Sequence, residues 1–360
     1  MTAATAEAAR SGSRADSRAR VVRWGSRMSF RYVPRATLVG LLIWLAAGVV
    51  MVLQLGIGEF TMSPGEVLST LSGHGAPNQE FIIYSLRLPR VLTAVLVGIA
   101  LGMSGAVFQS LTRNALGSPD IIGFTQGAAL AALAAIVVFH ASQAQIAMAA
   151  LAGGLVVSVL VYLLAYRKGV QGYRLILVGI GITALLMSLT SYLLLRAQVK
   201  DAQVAFVWLT GSLNARGWQH VVPMVIALAV LVPATLAMSR PLRILEMGDD
   251  TAYALGVRVE RSRGVLLLLG TALCAVAVSS AGPIGFIALA APQIAKRLTG
   301  ATSVGLLPAA AMGALLLVVS DLAAQRLLAP TALPVGVATV SVGGLYLAWV
   351  LFRENQSGRG

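Results

Sequence analysis

The side chains of this 360-residue chain that are able to do chemistry are few, and their spacing excludes most kinds of it. Its lysines are Lys168, Lys200 and Lys296. None follows a glycine, so the Gly-Lys-Ser/Thr end of a phosphate-binding loop is absent and no nucleotide site is visible. His74, His140 and His220 lie far apart, without the spacing of metal ligands. Cys274 stands alone in an apolar run and reads as a packing residue. No nucleophile constellation accompanies the serines and threonines, so the chain is expected to be no enzyme and to hold neither metal nor cofactor. One stretch differs. Residues 240–263, R-P-L-R-I-L-E-M-G-D-D-T-A-Y-A-L-G-V-R-V-E-R-S-R, carry Arg240, Arg243, Arg258, Arg261 and Arg263 beside Glu246, Asp249, Asp250 and Glu260. Such an island between long apolar runs suits charge-assisted contact with a soluble partner.

The rest of the chain must position that island, and its composition says how. Hydrophobic residues make up 58% and charged residues 11%, with a mean hydropathy of +0.84; a soluble domain is about 25% charged. Ten apolar runs approach the length needed to cross a bilayer: residues 36–58, 91–110, 119–139, 144–166, 173–195, 221–239, 264–282, 284–299, 304–322 and 334–352. The fold class is therefore an all-α polytopic membrane bundle of about ten transmembrane helices. Pro283, Gly285 and Pro292 interrupt the helical pattern near residues 282–292 and predict a broken or re-entrant segment. Gly98, Gly102 and Ala106, then Gly123 and Gly127, recur at four-residue spacing and predict close helix packing.

The net charge of +14 follows membrane topology rather than nucleic acid. Eight arginines fall within the first 35 residues. With that end inside, only Arg87, Arg90, Arg196, Lys200, Arg216 and Arg326 remain outside, against 21 of the 27 basic residues within. This puts both termini and the charged island in the cytoplasm. Residues 1–35 read as a disordered basic tail and 36–353 as the membrane domain, with the loop 240–263 inside it and 354–360 as a second tail. The first apolar run is too long for a signal peptide and is expected to be retained. Asp120, Lys296, Arg297 and Asp321 all fall near the ends of runs, which disfavours an ion-coupled secondary carrier.

At L-R-L-P-R (86–90), S-G-A-V-F-Q-S-L-T-R-N-A-L-G-S-P-D-I-I-G-F (104–124) and W-L-T-G-S-L (208–213) the chain resembles the iron-siderophore and vitamin B12 permeases of bacterial ABC importers. The resemblance continues through the charged island, A-G-P-I-G-F-I-A-L-A-A-P (281–292) and L-P-V-G-V (333–337). Ala115, Gln293, Ala332 and Leu345 depart from the broad family pattern. Ala332 and Leu345, with E-M-G-D-D-T-A and V-E-R-S-R, make the chain most similar to the second permease subunit of ferric-enterobactin-type importers.

That resemblance implies a type II ABC importer permease in the plasma membrane, carrying a ferric siderophore or, alternatively, vitamin B12 or haem. Its partners would be a second homologous permease, ABC ATPase subunits that bind the ATP, and an extracytoplasmic substrate-binding protein. Arg87, Arg90 and Arg326 would receive acidic residues of the binding protein, although the family arginine falls one position earlier, where this chain has Gln325. The island would be the loop that couples to the ATPase through Glu246, Gly248, Asp249, Asp250, Ala254, Leu255 and Gly256. Within it, Asp249 or Asp250 is suited to cap a short helix over residues 251–255, with Gly256 as its left-handed stop. Ser104, Gln109 and Asn114 are expected to line a translocation path between the two permeases.

Overall fold

The structure, a computed structural model, describes residues 20–24, 28–32, 34–58, 60–166, 172–327 and 333–345. Residues 1–19 and 354–360 of the expected tails, Arg167 and Lys168 of an expected cytoplasmic loop, and Ala332 lie outside the described residues. Of the residues expected to form the basic tail, β1 (Arg20–Trp24) and β2 (Met28–Tyr32) are described, paired antiparallel with Val22 opposite Phe30.

All remaining elements are helical. The first is α1 (Pro34–Gly56), followed by the short α2 (Pro64–Leu71), which a Ser63–Glu66 capping box starts. Next come α3 (Pro77–Thr112), α4 (Phe124–Val137), α5 (Gln143–Ala165), α6 (Gly172–Arg196) and α7 (Val199–Leu209). The charged island is bracketed by α8 (Trp218–Ala237) and α11 (Val259–Ala281), and it folds into α9 (Ser239–Glu246) and α10 (Asp249–Ala254). The chain continues through α12 (Ile287–Thr299), α13 (Leu306–Arg326) and α14 (Val335–Leu345).

Among the described residues seven helices are long and apolar enough to cross a membrane: α1, α3, α5, α6, α8, α11 and α13. The other three expected spans hold helices shorter than predicted. The third begins only at Phe124, because residues 118–123, S-P-D-I-I-G, form a turn. The eighth begins at Ile287, after a break at residues 282–286 in which Gly282 and Phe286 both take positive φ. That break takes in Pro283 and Gly285 of the predicted interruption, whereas Pro292 lies inside α12 and does not break it. The tenth is described as far as Leu345.

The bundle is organised around α3, whose length of 36 residues exceeds a bilayer crossing. Most of its spanning part is buried, whereas most residues of the spanning parts of α1, α6 and α8 are not. Close approach explains how α3 is enclosed. A Cβ at Gly98 would lie 2.4 Å from the Gly313 carbonyl oxygen, and one at Gly102 would lie 2.3 Å from that of Ala309. The four-residue spacing seen in the sequence thus seats α3 directly on the backbone of α13, as small-residue motifs do. Gly127 serves α4 in the same way, against Gly153 of α5. Near the end at which α3 begins, residues 81–87 widen into a π-helical stretch, a rare form that recurs at functional positions.

Candidate functional site

The two ends of α3 carry the expected site residues, and they differ in how the charges are used. At its C-terminal end the island's α9 and α10 are held against it by hydrogen bonds from Ser110 and Arg113. Ser110 Oγ donates to Glu246 Oε1. Arg113 Nε donates to the Leu245 carbonyl at 3.0 Å, and its Nη2 donates to Asp249 Oδ1. The same Oδ1 accepts from Arg263 Nη2 at 2.8 Å, while Arg263 Nη1 donates to Glu260 Oε1 at 3.3 Å. One carboxylate oxygen therefore joins α10 to both α3 and α11.

This arrangement corrects the capping expected of Asp249 and Asp250. The cap position belongs to Gly248, at φ 116°, and makes no side-chain bond. Asp249 and Asp250 open the first turn, where acids suit the helix dipole. The aspartate side chain is drawn to two arginines rather than to backbone N–H groups because an ion pair is the stronger partner. At the other end the expectation holds. Gly256, at φ 76°, donates to the Tyr253 carbonyl and Val257 donates to that of Ala252, a paired closure of the last turn.

Burial pushes Asp249 upward, but the hydrogen bond and charge of Arg263, followed by those of Arg113, outweigh it and hold the carboxyl below the usual aspartate range. Glu246 lies the other way. Burial raises it, and the Ser110 hydroxyl, the charges of Lys296 and Arg243 and the Val304 N–H oppose that rise without cancelling it. Ala252 is the buried residue of α10, while Asp250, Ala254 and Gly256 are exposed, with Tyr253 at 58% and Leu255 at 59%. A short helix that turns apolar side chains to its open face presents a surface for another protein.

At the opposite end of α3, Arg87 donates to the carbonyls of Leu55 and Phe60, each at 2.6 Å, and so ties down the connection between α1 and α2. Arg326 is exposed and near enough for its charge to act on Arg87. Arg90 differs from the fork expected to await an acidic partner. Its Nε and Nη2 close on Asp321 of α13 at 2.9 and 2.8 Å, and that aspartate is fully buried. A carboxylate with no access to water takes the nearest fork available. Gln54 and Gln325 donate to the same carboxylate, so the glutamine standing at the family's arginine position serves Asp321. A cleft of about 330 Å³ opens here between Gln54, Phe60, Leu86, Arg87, Arg90 and Gln325.

The three path residues separate. Ser104 is fully buried and donates to the Gly270 carbonyl of α11 at 2.7 Å, which makes it a packing residue rather than part of a path at a subunit surface. Gln109 donates to the Leu289 carbonyl at 2.9 Å and accepts from Gln293 at 2.7 Å. Asn114 is exposed and caps the following turn through Leu116. Gln109 and Asn114 do share a cavity of about 230 Å³ with Glu246, Gln293, Lys296 and Ser303.

Sequence reasoning missed Gln54, Ser110, Arg113, Arg263 and Asp321 as site residues. Asp321 had a usable signal, since an ionisable residue within an apolar run marks a place where charge is needed.

The chain is 46% identical over 326 residues to the ferric enterobactin transport system permease protein FepG of Escherichia coli (strain K12), covering 90% of this chain and 99% of that one. It is 37% identical to the achromobactin transport system permease protein CbrC of Dickeya dadantii (strain 3937), covering 92% and 95%. Among solved structures it matches a metal-chelate type ABC transporter, determined in an inward-facing conformation. The TM-score is 0.78 at 28% identity, and the match covers 88% of this chain and 99% of that one. The family model of the FecCD transport family matches residues 44–353, from within α1 to beyond α14, and to that family the chain belongs.

Proposed function

We propose that this chain is the membrane permease subunit of an ATP-driven importer that carries a ferric siderophore of the enterobactin type across the plasma membrane. The observation that carries the reading is the mounted helix α10, whose exposed Tyr253 and Leu255 face outward from a fixed base. It is supported by the permease relatives, whose cargoes are named as ferric enterobactin and achromobactin. ATP is bound by the ATPase subunits, which seat on α9 and α10. A second, homologous permease completes the membrane unit. On this reading both termini and the island lie in the cytoplasm, which the charge bias supports, and Arg87 and Arg326 lie on the outer face, where a substrate-binding protein delivers its cargo. The iron stays inside its chelate, so the permease needs no metal ligands and performs no covalent step.

Reconstitution in liposomes with the ATPase, the second permease and the binding protein tests this. Uptake of radiolabelled ferric enterobactin is expected to require internal ATP and to survive collapse of the proton gradient. Uptake that continues without ATP and stops with the gradient would overturn the reading. Competition by vitamin B12 or haem, with none by ferric siderophores, would reassign the cargo.

A further inference from the structure

We propose that Arg113 and Arg263 are positioning residues for coupled transport. By sharing Oδ1 of Asp249 they fix α10 to the ends of α3 and α11, so that a displacement of α10 reaches the core of the subunit. The inference rests on the reading that the ATPase seats on α10.

The geometry requires an attachment of this kind. A helix of six residues does not persist alone in water, and with Ala252 as its buried residue α10 gains little from packing. Its mount is electrostatic instead. Ser110 and Arg113 project from the last turn of α3 and its cap, three residues apart and so on one side of the helix. Together they hold Leu245, Glu246 and Asp249. The Arg263 side chain is only 7% exposed, and a guanidinium so deep needs a fixed counter-charge, which Asp249 and Glu260 supply from two directions. Removing the Asp249 charge releases α10 from two helices at once.

From Arg113 the backbone of α3 runs without interruption to Arg90, a helical distance of about 35 Å. A push on α10 is therefore delivered to a rod that ends beside the outer cleft. Asp249, expected from the sequence to contact the ATPase, acts one step removed from it.

The test uses the complete transporter in liposomes, with cargo uptake and ATP hydrolysis measured together. In Asp249→Asn and in Arg113→Gln the amount of cargo moved per ATP hydrolysed is expected to fall about fivefold or more. The ATPase should still co-purify, because Tyr253 and Leu255 are unchanged. The double variant should lose less than the product of the two single losses, since both remove the Arg113–Asp249 contact, and Asp249→Glu should recover part of the loss. A purely architectural role would lower uptake and hydrolysis together and leave their ratio unchanged. An unchanged ratio, or losses that multiply in the double variant, overturns the proposal. Arg113→Gln keeps the test available if Asp249→Asn fails to fold, because Arg113 is 42% exposed. Failure of the underlying reading looks different: Tyr253→Ala with Leu255→Ala would then leave ATPase co-purification intact.

Discussion

Arg90 and Asp321 meet as a bidentate pair between α3 and α13, although 231 residues separate them in the sequence. Their geometry uses the Nε–Nη2 edge of the guanidinium against both carboxylate oxygens, and Gln54 and Gln325 complete the carboxylate's bonding. Replacing Asp321 with Ala leaves a largely shielded arginine without its charge partner. The expected cost is about 3 kcal/mol, read as a lower midpoint in thermal unfolding of the detergent-solubilised protein. Arg90→Met combined with Asp321→Leu should recover much of that loss, because an apolar pair of similar volume carries no desolvation penalty.

The contact between α3 and α13 predicts an asymmetry among glycines. Gly98→Ala drives a methyl group to 2.4 Å from a backbone oxygen that has little room to retreat. It is expected to destabilise by about 1–3 kcal/mol. Gly40→Ala in α1 meets nothing within 4 Å and should be neutral or stabilising by up to about 1 kcal/mol, from helix propensity alone. Paired thermal melts of the two variants decide the matter.

Docking of the binding protein should depend on Arg326 more than on Arg90, since Arg326 is exposed and Arg90 is held by Asp321. Arg326→Glu is expected to weaken docking about tenfold at low salt, with the difference shrinking as salt rises. Binding measured at two ionic strengths on permease in nanodiscs gives the answer. A salt-independent change, or none, would remove Arg326 from the docking surface.

Asp249 sets an acid limit on the α10 mount. Its carboxyl is held below the usual aspartate range in the folded chain, so the unfolded chain binds the proton first as pH falls. The stabilisation is complete above that usual range and is lost as pH drops through the depressed folded value. The difference in melting temperature between the wild type and Asp249→Asn should therefore be flat at neutral pH and close only under strongly acidic conditions. Glu246, raised by burial, contributes in the opposite sense, so Glu246→Gln should not reproduce the profile.

How much of this was readable beforehand depends on the range over which each feature is determined. Local features came through: the apolar runs, the break near Pro283, the island and the left-handed stop at Gly256 all follow from residues within a few positions of one another. The small-residue spacing at Gly98 and Gly102 announced a close contact but did not identify α13 as the partner. Features made by distant residues were lost. Asp249 looked like a helix cap because nothing in its neighbourhood reveals Arg113, which arrives from 136 residues away. Ser104 looked like a polar lining residue until Gly270 took its hydroxyl. The lengths of α4 and α12 were overestimated because hydropathy continues through turns that the backbone does not cross as helix.

The seating of α3 on α13 has a kinematic consequence. Carbonyl oxygens lie against glycine Cα atoms from both sides, at Gly98 and at Gly313, so neither helix can slide or roll past the other without a side chain striking backbone. With Arg90 and Asp321 pinned at one end of that contact, the two helices travel as one rigid body. On the reading that the ATPase seats on α10, a displacement that reaches α3 therefore carries α13 with it, and the pair acts as a single lever rather than as two helices that shear.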